Sequence, residues 1–217
     1  MSCRLRLGFL SAGLAFDRSL AHSRKEVLED RLCLPQRGSI TLDMAEPQRV
    51  VLNSATSADA ELLSNLLELY IHDLSAAFPD VELGADGRFG YRPLALYWSQ
   101  PERRFAFLIR CDARIAGFAL VTRGSPATDN PNVFDVAEFF VLRRYRRAGV
   151  GRQAAELLWK RFPGRWIVRV FEGNPGAVSF WSGVIEAFTG KAVTVIERPG
   201  HPPAWRVFSF ESACPPK

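Results

Sequence analysis

The sequence predicts an α/β protein in which helices cover both faces of one mixed β-sheet. Short apolar runs rich in β-branched residues alternate with three segments of helical periodicity, in the order β-α-β-β-β-α-β-α-β-β. The 217 residues are 47% hydrophobic and 24% charged, and they contain no internal repeat. This length and composition are typical of a single domain with one substantial core.

Each predicted element follows from a local pattern. Strands are predicted where apolar residues alternate with polar ones or form short runs, at residues 49–53, 105–110, 115–123, 134–142, 165–171, 192–197 and 205–210. Helices are predicted where apolar residues recur every three or four positions, at residues 57–78, 152–162 and 175–188. Ser57 is expected to cap the first helix. Gly, Ser, Asn, Asp and Pro mark the two longest loops, at residues 80–93 and 124–132.

The first 43 residues differ from the rest of the chain. Two arginines precede a short apolar stretch at residues 7–16 that faintly resembles a signal peptide, but no convincing cleavage site follows it. Met44 opens the segment that leads directly into the first strand. We expect residues 1–43 to be a disordered extension or an over-extended start, and residues 44–217 to form the folded domain.

The net charge of +5 favours an anionic partner. A cluster within ten positions strengthens this indication, because it consists of Arg143, Arg144, Arg146, Arg147 and Arg152. A solvated basic face is the alternative interpretation of the cluster.

The cysteines give no sign of a disulfide framework or a metal site. Cys3, Cys33, Cys111 and Cys214 form no CxxC pair and lack metal-ligand spacing. This usage favours a reducing cytoplasm. No apolar run approaches the roughly 20 residues needed to span a bilayer, so no membrane partner is expected.

Residues 146–151, Arg-Arg-Ala-Gly-Val-Gly, connect the strand at 134–142 to the next helix. The N–H groups of such a loop and of the first helical turn lack partners, and the helix dipole adds positive potential. Glycine also lets the backbone approach an anion closely. The pattern predicts a phosphate site, and an ordinary strand-to-helix turn is the alternative.

A second motif follows the fifth strand. Residues 174–181 read Asn-x-x-Ala-x-x-Phe-Trp. Together with the Arg-x-x-Gly-x-Gly loop at residues 146–151, this segment resembles the GNAT superfamily of acyl-CoA-dependent N-acyltransferases, which has Asn-x-x-Ala-x-x-Phe-Tyr at this point. The resemblance covers about residues 49–211. It implies a mostly antiparallel sheet of six to seven strands that is splayed between strands 4 and 5.

The resemblance also implies acetyl-CoA as the cosubstrate. The phosphates would lie against the glycine loop, and the pantetheine arm would pair like an added strand with strand 4. Asn174 would contact this arm, while capping the following helix is its alternative role. The residues assigned to the cofactor in this way are Phe140, Val141, Arg146, Arg147, Ala148, Gly149, Val150, Gly151, Arg152, Asn174, Ala177 and Phe180.

Acylation of an amine calls for a general base. An amine with a pKa near ~10.4 is almost fully protonated at neutral pH, and forming the free amine costs about 4.6 kcal/mol. Glu138 is the candidate, because it lies in the apolar strand beside which the acyl group is expected. In many members of the superfamily a Glu on this strand acts through water. A position on a solvated strand face is the alternative.

Trp181 departs from the family pattern, which often has a tyrosine here as the general acid. An indole N–H is not a useful acid near neutral pH, so a catalytic role for Trp181 is doubtful. Either Ser182 or water replaces the tyrosine, or no acid is needed. A thiol with a pKa near ~8.5 is already a tolerable leaving group.

In the family, the first helix and the loop after it usually form one wall of the acceptor site. Tyr70, Tyr91 and Trp98 are the candidates for this wall, with simple packing as the alternative for each. His72 and Asp73 are neighbours on the helix and point about 100° apart, so we do not expect a dyad.

The sequence therefore predicts a cytoplasmic acetyltransferase that moves an acetyl group from acetyl-CoA directly to a primary amine of a small molecule or a protein. The main alternative is a catalytically degenerate CoA- or nucleic-acid-binding module with the same fold, although no aromatic platform for nucleic acid accompanies the arginines. A dinucleotide site is disfavoured, because residues 143–148 separate the strand from the glycine turn. The sequence leaves the acceptor, the acyl-chain preference and the formation of a homodimer open.

Overall fold

The computed structural model describes residues 49–78, 80–196 and 205–213. Within these residues one sheet contains seven strands: β1 Val50–Ser54, β2 Arg104–Cys111, β3 Arg114–Arg123, β4 Phe134–Val141, β5 Gly164–Phe171, β6 Thr194–Val195 and β7 Trp205–Ser212. The same part of the chain forms four α-helices: α1 Ala60–Ser75, α2 Leu96–Ser99, α3 Val150–Arg161 and α4 Pro175–Thr189. Single 3-10 turns lie at Ser57–Asp59, Arg92–Ala95 and Arg143–Tyr145.

The strands lie in the order β1-β2-β3-β4-β5-β7-β6. Every neighbouring pair is antiparallel except β4 and β5, which run parallel. The predicted mixed and mostly antiparallel sheet is therefore confirmed, as is the order of its main elements. None of the described helices combines the length and the apolar character that crossing a bilayer requires. The prediction for residues 1–43 lies outside the described residues.

Two predicted helix starts are wrong. Thr56, and not Ser57, caps the 3-10 turn that leads into α1, and its backbone N–H donates to the Asp59 carboxylate at 2.9 Å. Helix α1 itself begins at Ala60, after Asp59. Helix α3 begins at Val150 instead of residue 152, because Gly149 takes the left-handed backbone conformation (φ 78°) that ends the loop. The amides of the second half of the glycine motif thus belong to the first turn of a helix.

Two short elements also differ from the sequence prediction. Helix α2 and the 3-10 turn before it were not predicted, because a four-residue helix contains too little chain to establish a periodicity. The strand predicted at residues 192–197 is reduced to the two residues of β6, and residue 197 lies outside the described part.

Each face of the sheet buries its own core. Alternation along β2 directs Phe107 and Ile109 to one face and Ala106 and Leu108 to the other. The first face is covered by α3 and α4 through apolar residues that include Val150, Leu158, Trp159, Trp181 and Ile185. The second face is covered by α1 and α2 through Leu63, Leu67, Tyr70, Leu74 and Tyr97. Helices therefore lie on both faces, as predicted.

Strands β4 and β5 are paired over only three residues. Residues 134–136 pair with residues 166–168, whereas β4 continues to Val141 and β5 to Phe171. From Ala137 onward, the β5-facing edge of β4 has no neighbouring strand within the described part of the chain. The predicted splay between the fourth and fifth strands is confirmed.

A β-bulge lies where β4 leaves β5. The register against β3 shifts, so that Leu120 pairs with Glu138 while Val121 pairs with Val136. Ala137 is the extra residue between them. Because a bulge bends its strand and increases the local twist, it turns the end of β4 away from β5 at the position next to Glu138.

A buried ion pair joins β4 and β5 at this same point. The Arg169 guanidinium donates from Nε to Asp135 Oδ2 at 2.9 Å and from Nη2 to Asp135 Oδ1 at 3.0 Å. Both side chains are almost fully buried, and the Ser125 hydroxyl also donates to Oδ2. Burial alone would lower the pKa of Arg169, but the charge and hydrogen bonds of Asp135 outweigh it and raise that pKa. The guanidinium therefore stays charged and holds the two strands at the last point where they are paired.

Replacing Asp135 by asparagine should lower the free energy of unfolding by about 3–5 kcal/mol, because Arg169 then keeps a buried charge without its carboxylate partner. Chemical denaturation of the two proteins measures this loss. If Asp135→Asn does not fold, the double variant Asp135→Leu/Arg169→Met should restore a folded protein, since it removes both charges together.

The matched control is Glu172→Gln, at the residue that follows the end of β5. Glu172 pairs with Arg206 at 3.1 Å, but both side chains are more than 40% exposed. An exposed pair contributes less than about 1 kcal/mol. Equal losses in the two variants would contradict the structural importance of the buried pair.

Candidate functional site

A cavity of about 650 Å³ opens where β4 and β5 part. Its walls come from the end of β4, the loop that follows it, the first turn of α3 and one face of α4. The residues that line it are Phe139, Phe140, Val141, Arg143, Arg146, Arg147, Gly149, Gly151, Arg152, Gly176, Ser179, Phe180 and Val184. Eight of the twelve residues that the sequence analysis assigned to a cofactor are among them. The other four, Ala148, Val150, Asn174 and Ala177, lie outside the lining.

The backbone of the glycine loop suits an anion. Arg147 (φ 62°) and Gly149 (φ 78°) both adopt the left-handed conformation, and α3 begins directly after Gly149. Such turns direct successive N–H groups to one side, and the first-turn amides of α3 have no partner within the helix. The positive end of the helix dipole adds to this potential. The loop can therefore bind a phosphate through its main chain.

Gly151 is required for a different reason. A Cβ at this position would lie 3.2 Å from Cζ of Phe180 on α4. The start of α3 thus packs directly against an aromatic ring that also lines the cavity. Gly149 supplies the backbone turn, and Gly151 supplies the close approach of two helices.

The side chain of Arg146 is bound within the protein. Its Nε donates to the carbonyl oxygen of Val141 at 2.7 Å, and its Nη2 donates to Asp73 Oδ2 at 2.7 Å. The backbone N–H of Arg146 also donates to the carbonyl of Arg143, at 3.1 Å. The sequence predicts Arg146 as a cofactor contact, but its Nε, its Nη2 and its backbone N–H already have protein partners. Its side chain therefore shapes the cavity wall.

Asp73 on α1 receives two arginines. In addition to Arg146, the more exposed Arg143 donates from Nη2 to Asp73 Oδ1 at 2.5 Å. Burial alone would raise the pKa of Asp73, but the hydrogen bonds from Arg146 and Arg143 outweigh it and hold the pKa below its usual value. This carboxylate ties the last turn of α1 to the loop that carries the glycines.

Glu138 is fully buried on the α1 face of the sheet. Its Oε2 accepts a hydrogen bond from the Tyr70 hydroxyl at 2.6 Å, and its Oε1 accepts one from the Tyr91 hydroxyl at 2.9 Å. The alternative of a solvated position for Glu138 is wrong. The carboxylate lies inside the core and is held there by two tyrosines.

The tyrosines around Glu138 keep their protons. Burial and then the charge of Glu138 raise the pKa values of both Tyr91 and Tyr97. Neutral hydroxyls can donate to the carboxylate, as those of Tyr70 and Tyr91 do. On β4, Glu138 directly precedes Phe139 and Phe140, which line the cavity.

The three residues predicted to form the acceptor wall differ in their exposure to solvent. Tyr70 is only 1% exposed and belongs to the core between α1 and the sheet, so it is not a surface wall. Tyr91 and Trp98 are half-buried and pack against the same core. Tyr91 therefore reaches both the surface and Glu138.

Trp181 is fully buried on the opposite face. Its ring lies 5.1 Å from that of Phe139 and 5.0 Å from that of Phe180, measured between centroids, and both of these rings line the cavity. Its Nε1 has no hydrogen-bond partner among the described residues. Trp181 supports the cavity wall from behind and has no position from which to act as an acid.

Asn174 caps α4, the alternative role that its sequence position allowed. Its Oδ1 accepts from the backbone N–H of Ala177 at 3.1 Å. Its Nδ2 is buried and has no hydrogen-bond partner in the described structure. The oxygen of this amide therefore completes the helix, and its nitrogen has no partner among the described residues.

Sequence reasoning missed part of the site. Gly176, Ser179 and Val184 line the cavity and recur on one face of α4 with Phe180, so helical periodicity could have identified them. The contacts of Glu138 and Asp73 with side chains far away in the sequence left no local signal. Among the described residues, no group of three or more His, Cys, Asp and Glu side chains could hold a metal ion.

The comparisons with known proteins agree with this architecture. A model of the acetyltransferase (GNAT) family matches residues 64–183, more than half of the chain. Among solved structures, an acetyltransferase from Thermus thermophilus is 20% identical with a TM-score of 0.55, and the match covers 75% of this chain and 96% of that one. No curated protein sequence matches the chain.

Two further solved structures are similar. A domain from Methanocaldococcus jannaschii is 14% identical with a TM-score of 0.53, over 76% of this chain and 99% of that one. The GNAT domain of S. lividans PAT is 17% identical with a TM-score of 0.52, over 77% and 98% of the two chains. At these identities the similarity establishes the fold.

Replacing Asp73 by asparagine should lower the free energy of unfolding by about 1–2 kcal/mol at neutral pH, because two charge-assisted hydrogen bonds are weakened. A lowered carboxyl pKa stabilises the fold fully above the unfolded value near ~3.9, and this contribution is lost as the pH falls through the folded value. The difference between wild type and Asp73→Asn should therefore shrink as the pH falls from about 5 to about 2 in denaturant titrations. A difference that stays constant over this range would contradict the assignment.

Proposed function

The chain belongs to the GNAT family of acetyltransferases, and we propose that it moves the acetyl group of acetyl-CoA directly to a primary amine of its acceptor. The observation that carries this proposal is the cavity at the parting of β4 and β5. It combines a loop suited to phosphates with an unpaired strand edge, and members of this family use acetyl-CoA, which has both phosphates and an amide-containing arm.

The phosphates would bind the left-handed turn at Arg147 and Gly149 and the first turn of α3. Main-chain N–H groups supply this contact, so it does not depend on the guanidinium of Arg146. Arg152 lies at the same helix start and lines the cavity. Its ion pair with Glu156 at 2.8 Å is exposed, so it can exchange that partner for a phosphate at little cost.

The arm of the cofactor would extend along β4. Within residues 49–78, 80–196 and 205–213, the edge from Ala137 to Val141 that faces β5 has no neighbouring strand. Such an edge accepts an extended chain through main-chain hydrogen bonds. Nδ2 of Asn174 has no partner in the part of the chain that the structure describes, and it supports the same placement, since a buried amide donor costs free energy until it finds an acceptor. The acetyl thioester would then lie near the bulge beside Glu138.

Glu138 would act as the general base. A thioester carbonyl accepts only an uncharged amine, so a proton must leave the acceptor nitrogen. Its carboxylate lies on the α1 face of β4, directly before Phe139 and Phe140, which line the cavity. The departing thiol needs no protein acid, because its pKa near ~8.5 makes the thiolate an adequate leaving group.

Acetyl-CoA should bind the full chain with micromolar affinity, and Gly149→Asp should abolish this binding, because it strains the left-handed turn and repels the phosphates. Isothermal titration calorimetry measures both, with dephospho-CoA as a competitor that reports on the 3′-phosphate.

The matched control for this variant is Gly87→Asp. Gly87 has nearly the same backbone conformation (φ 74°) and open space around it, in an exposed loop. It should bind acetyl-CoA like the wild type. Equal loss of binding in the two variants would mean that backbone strain alone explains the effect and would remove support for the phosphate site.

Glu138→Gln should lower kcat about 100-fold or more while leaving the affinity for acetyl-CoA nearly unchanged. The loss should be largest at lower pH, where the amine is protonated and the base matters most. Thiol release across a pH series measures it, with a panel of small primary amines as acceptors. An unchanged pH–rate profile would show that Glu138 is not the base.

Many family members have a tyrosine as the general acid where this chain has Trp181. The alternative to catalysis is therefore a module that binds CoA without turnover. Tight binding of acetyl-CoA together with no thiol release for any amine in the panel would favour this alternative. Turnover that CoA inhibits competitively would exclude it.

A further inference from the structure

We propose that Tyr91 is a catalytic residue that takes a proton from the acceptor amine and passes its own hydroxyl proton to Glu138. This inference rests on the proposed function, and it assigns the contact with the amine to a residue other than the base itself. The relay consists of the Tyr91 hydroxyl and Glu138 Oε1, which are 2.9 Å apart.

Burial separates Glu138 from any acceptor. The residue has no exposed surface, and each of its carboxylate oxygens accepts a tyrosine hydroxyl. A substrate nitrogen could touch the carboxylate only by displacing side chains that cover it in the core. A proton can reach Glu138 more easily through a group that already touches it.

Of the two hydroxyl donors, Tyr91 is the one that reaches the surface. Tyr70 lies on α1 and is 1% exposed, with its ring packed against those of Phe118 and Phe140. Tyr91 is half-buried, at the start of the 3-10 turn before α2. One end of its side chain therefore contacts the base while the residue as a whole borders solvent.

The loop that carries Tyr91 is anchored to α1. The Glu68 carboxylate accepts the backbone N–H of Phe89 at 2.7 Å and that of Gly90 at 3.0 Å. Gly90 takes the left-handed conformation (φ 71°) that turns the chain into Tyr91. These contacts hold the phenol against Glu138, as a relay requires, since proton transfer needs a hydrogen bond of fixed geometry.

The relay conserves protons and electron pairs in the transfer step. The amine nitrogen forms a bond to the thioester carbonyl carbon, and the C–S bond breaks with its electron pair going to sulfur. The nitrogen loses one proton to the Tyr91 oxygen as the Tyr91 proton moves to Glu138 Oε1. The thiolate takes a proton from solvent, and Glu138 returns its proton to solvent through Tyr91. The net reaction is amine plus acetyl-CoA to amide plus CoA.

Both transfers must occur together. Burial and the charge of Glu138 raise the pKa of Tyr91, so the hydroxyl neither ionises beforehand nor acts as a base alone. It can hand on one proton only while it receives another. This requirement makes the effects of Tyr91 and Glu138 on the rate interdependent.

The experiment is a double-mutant cycle on kcat, with Tyr70→Phe as the matched control. Tyr91→Phe should lower kcat about 100-fold at unchanged KM for acetyl-CoA, and adding Glu138→Gln should cause little further loss, because the base is already disconnected. Tyr70→Phe also removes one hydroxyl from Glu138. It should lower kcat by less than about tenfold and keep the full further loss on Glu138→Gln.

Thermal unfolding of each variant shows whether it is folded before its rate is compared. If Tyr91→Phe does not fold, Tyr91→His takes its place, since an imidazole can also receive and pass on a proton and should retain part of kcat. Multiplicative losses for Tyr91 and Glu138, or equal losses for Tyr91→Phe and Tyr70→Phe, would overturn the relay. Absence of wild-type turnover with every amine would instead overturn the proposed function, and the relay with it.

Discussion

The rest of this structure depends on the short pairing between β4 and β5. Three residue pairs and one buried ion pair, Asp135 with Arg169, join them, and beyond this point a bulge turns β4 away. The separation leaves one edge of β4 without a neighbour in the described part of the chain, and the cavity opens beside the glycine loop that follows. Two charges buried between strands are costly unless they are paired, so the ion pair fixes the register at which the strands part.

The two sides of the sheet then contribute different chemistry. On the face covered by α3 and α4, aromatic rings and close helix packing form the wall of the cavity. On the face covered by α1, Glu138 lies among tyrosines within an otherwise apolar core. Asp73 connects the two regions, because it holds Arg146 and with it the loop that precedes α3. A displacement of α1 would therefore also displace Arg146 and the glycine loop.

The sequence contained the framework of the fold and lacked the long-range contacts of the site. Periodicity predicted the order of the main elements, and two motifs indicated where the chain would leave the sheet and begin a helix. No local pattern could show that Tyr91 meets Glu138 across 47 positions, or that Arg146 meets Asp73 across 73. Arg146 is instructive, since its place in the motif suggested a phosphate ligand while the tertiary structure satisfies its guanidinium internally. Side-chain partners depend on which elements pack together, and only the folded chain determines that.

The burial of Glu138 also has an evolutionary consequence. A carboxylate in the apolar core beneath α1 carries a desolvation cost that a leucine or methionine of similar volume would not. Selection for stability alone would therefore replace it, together with the tyrosine hydroxyls that satisfy it. Natural proteins rarely sit at their stability optimum, and sites of this kind are one reason. Variants of this chain selected only for thermal stability would accumulate apolar residues at position 138. They would be more stable but would lack the proposed general base.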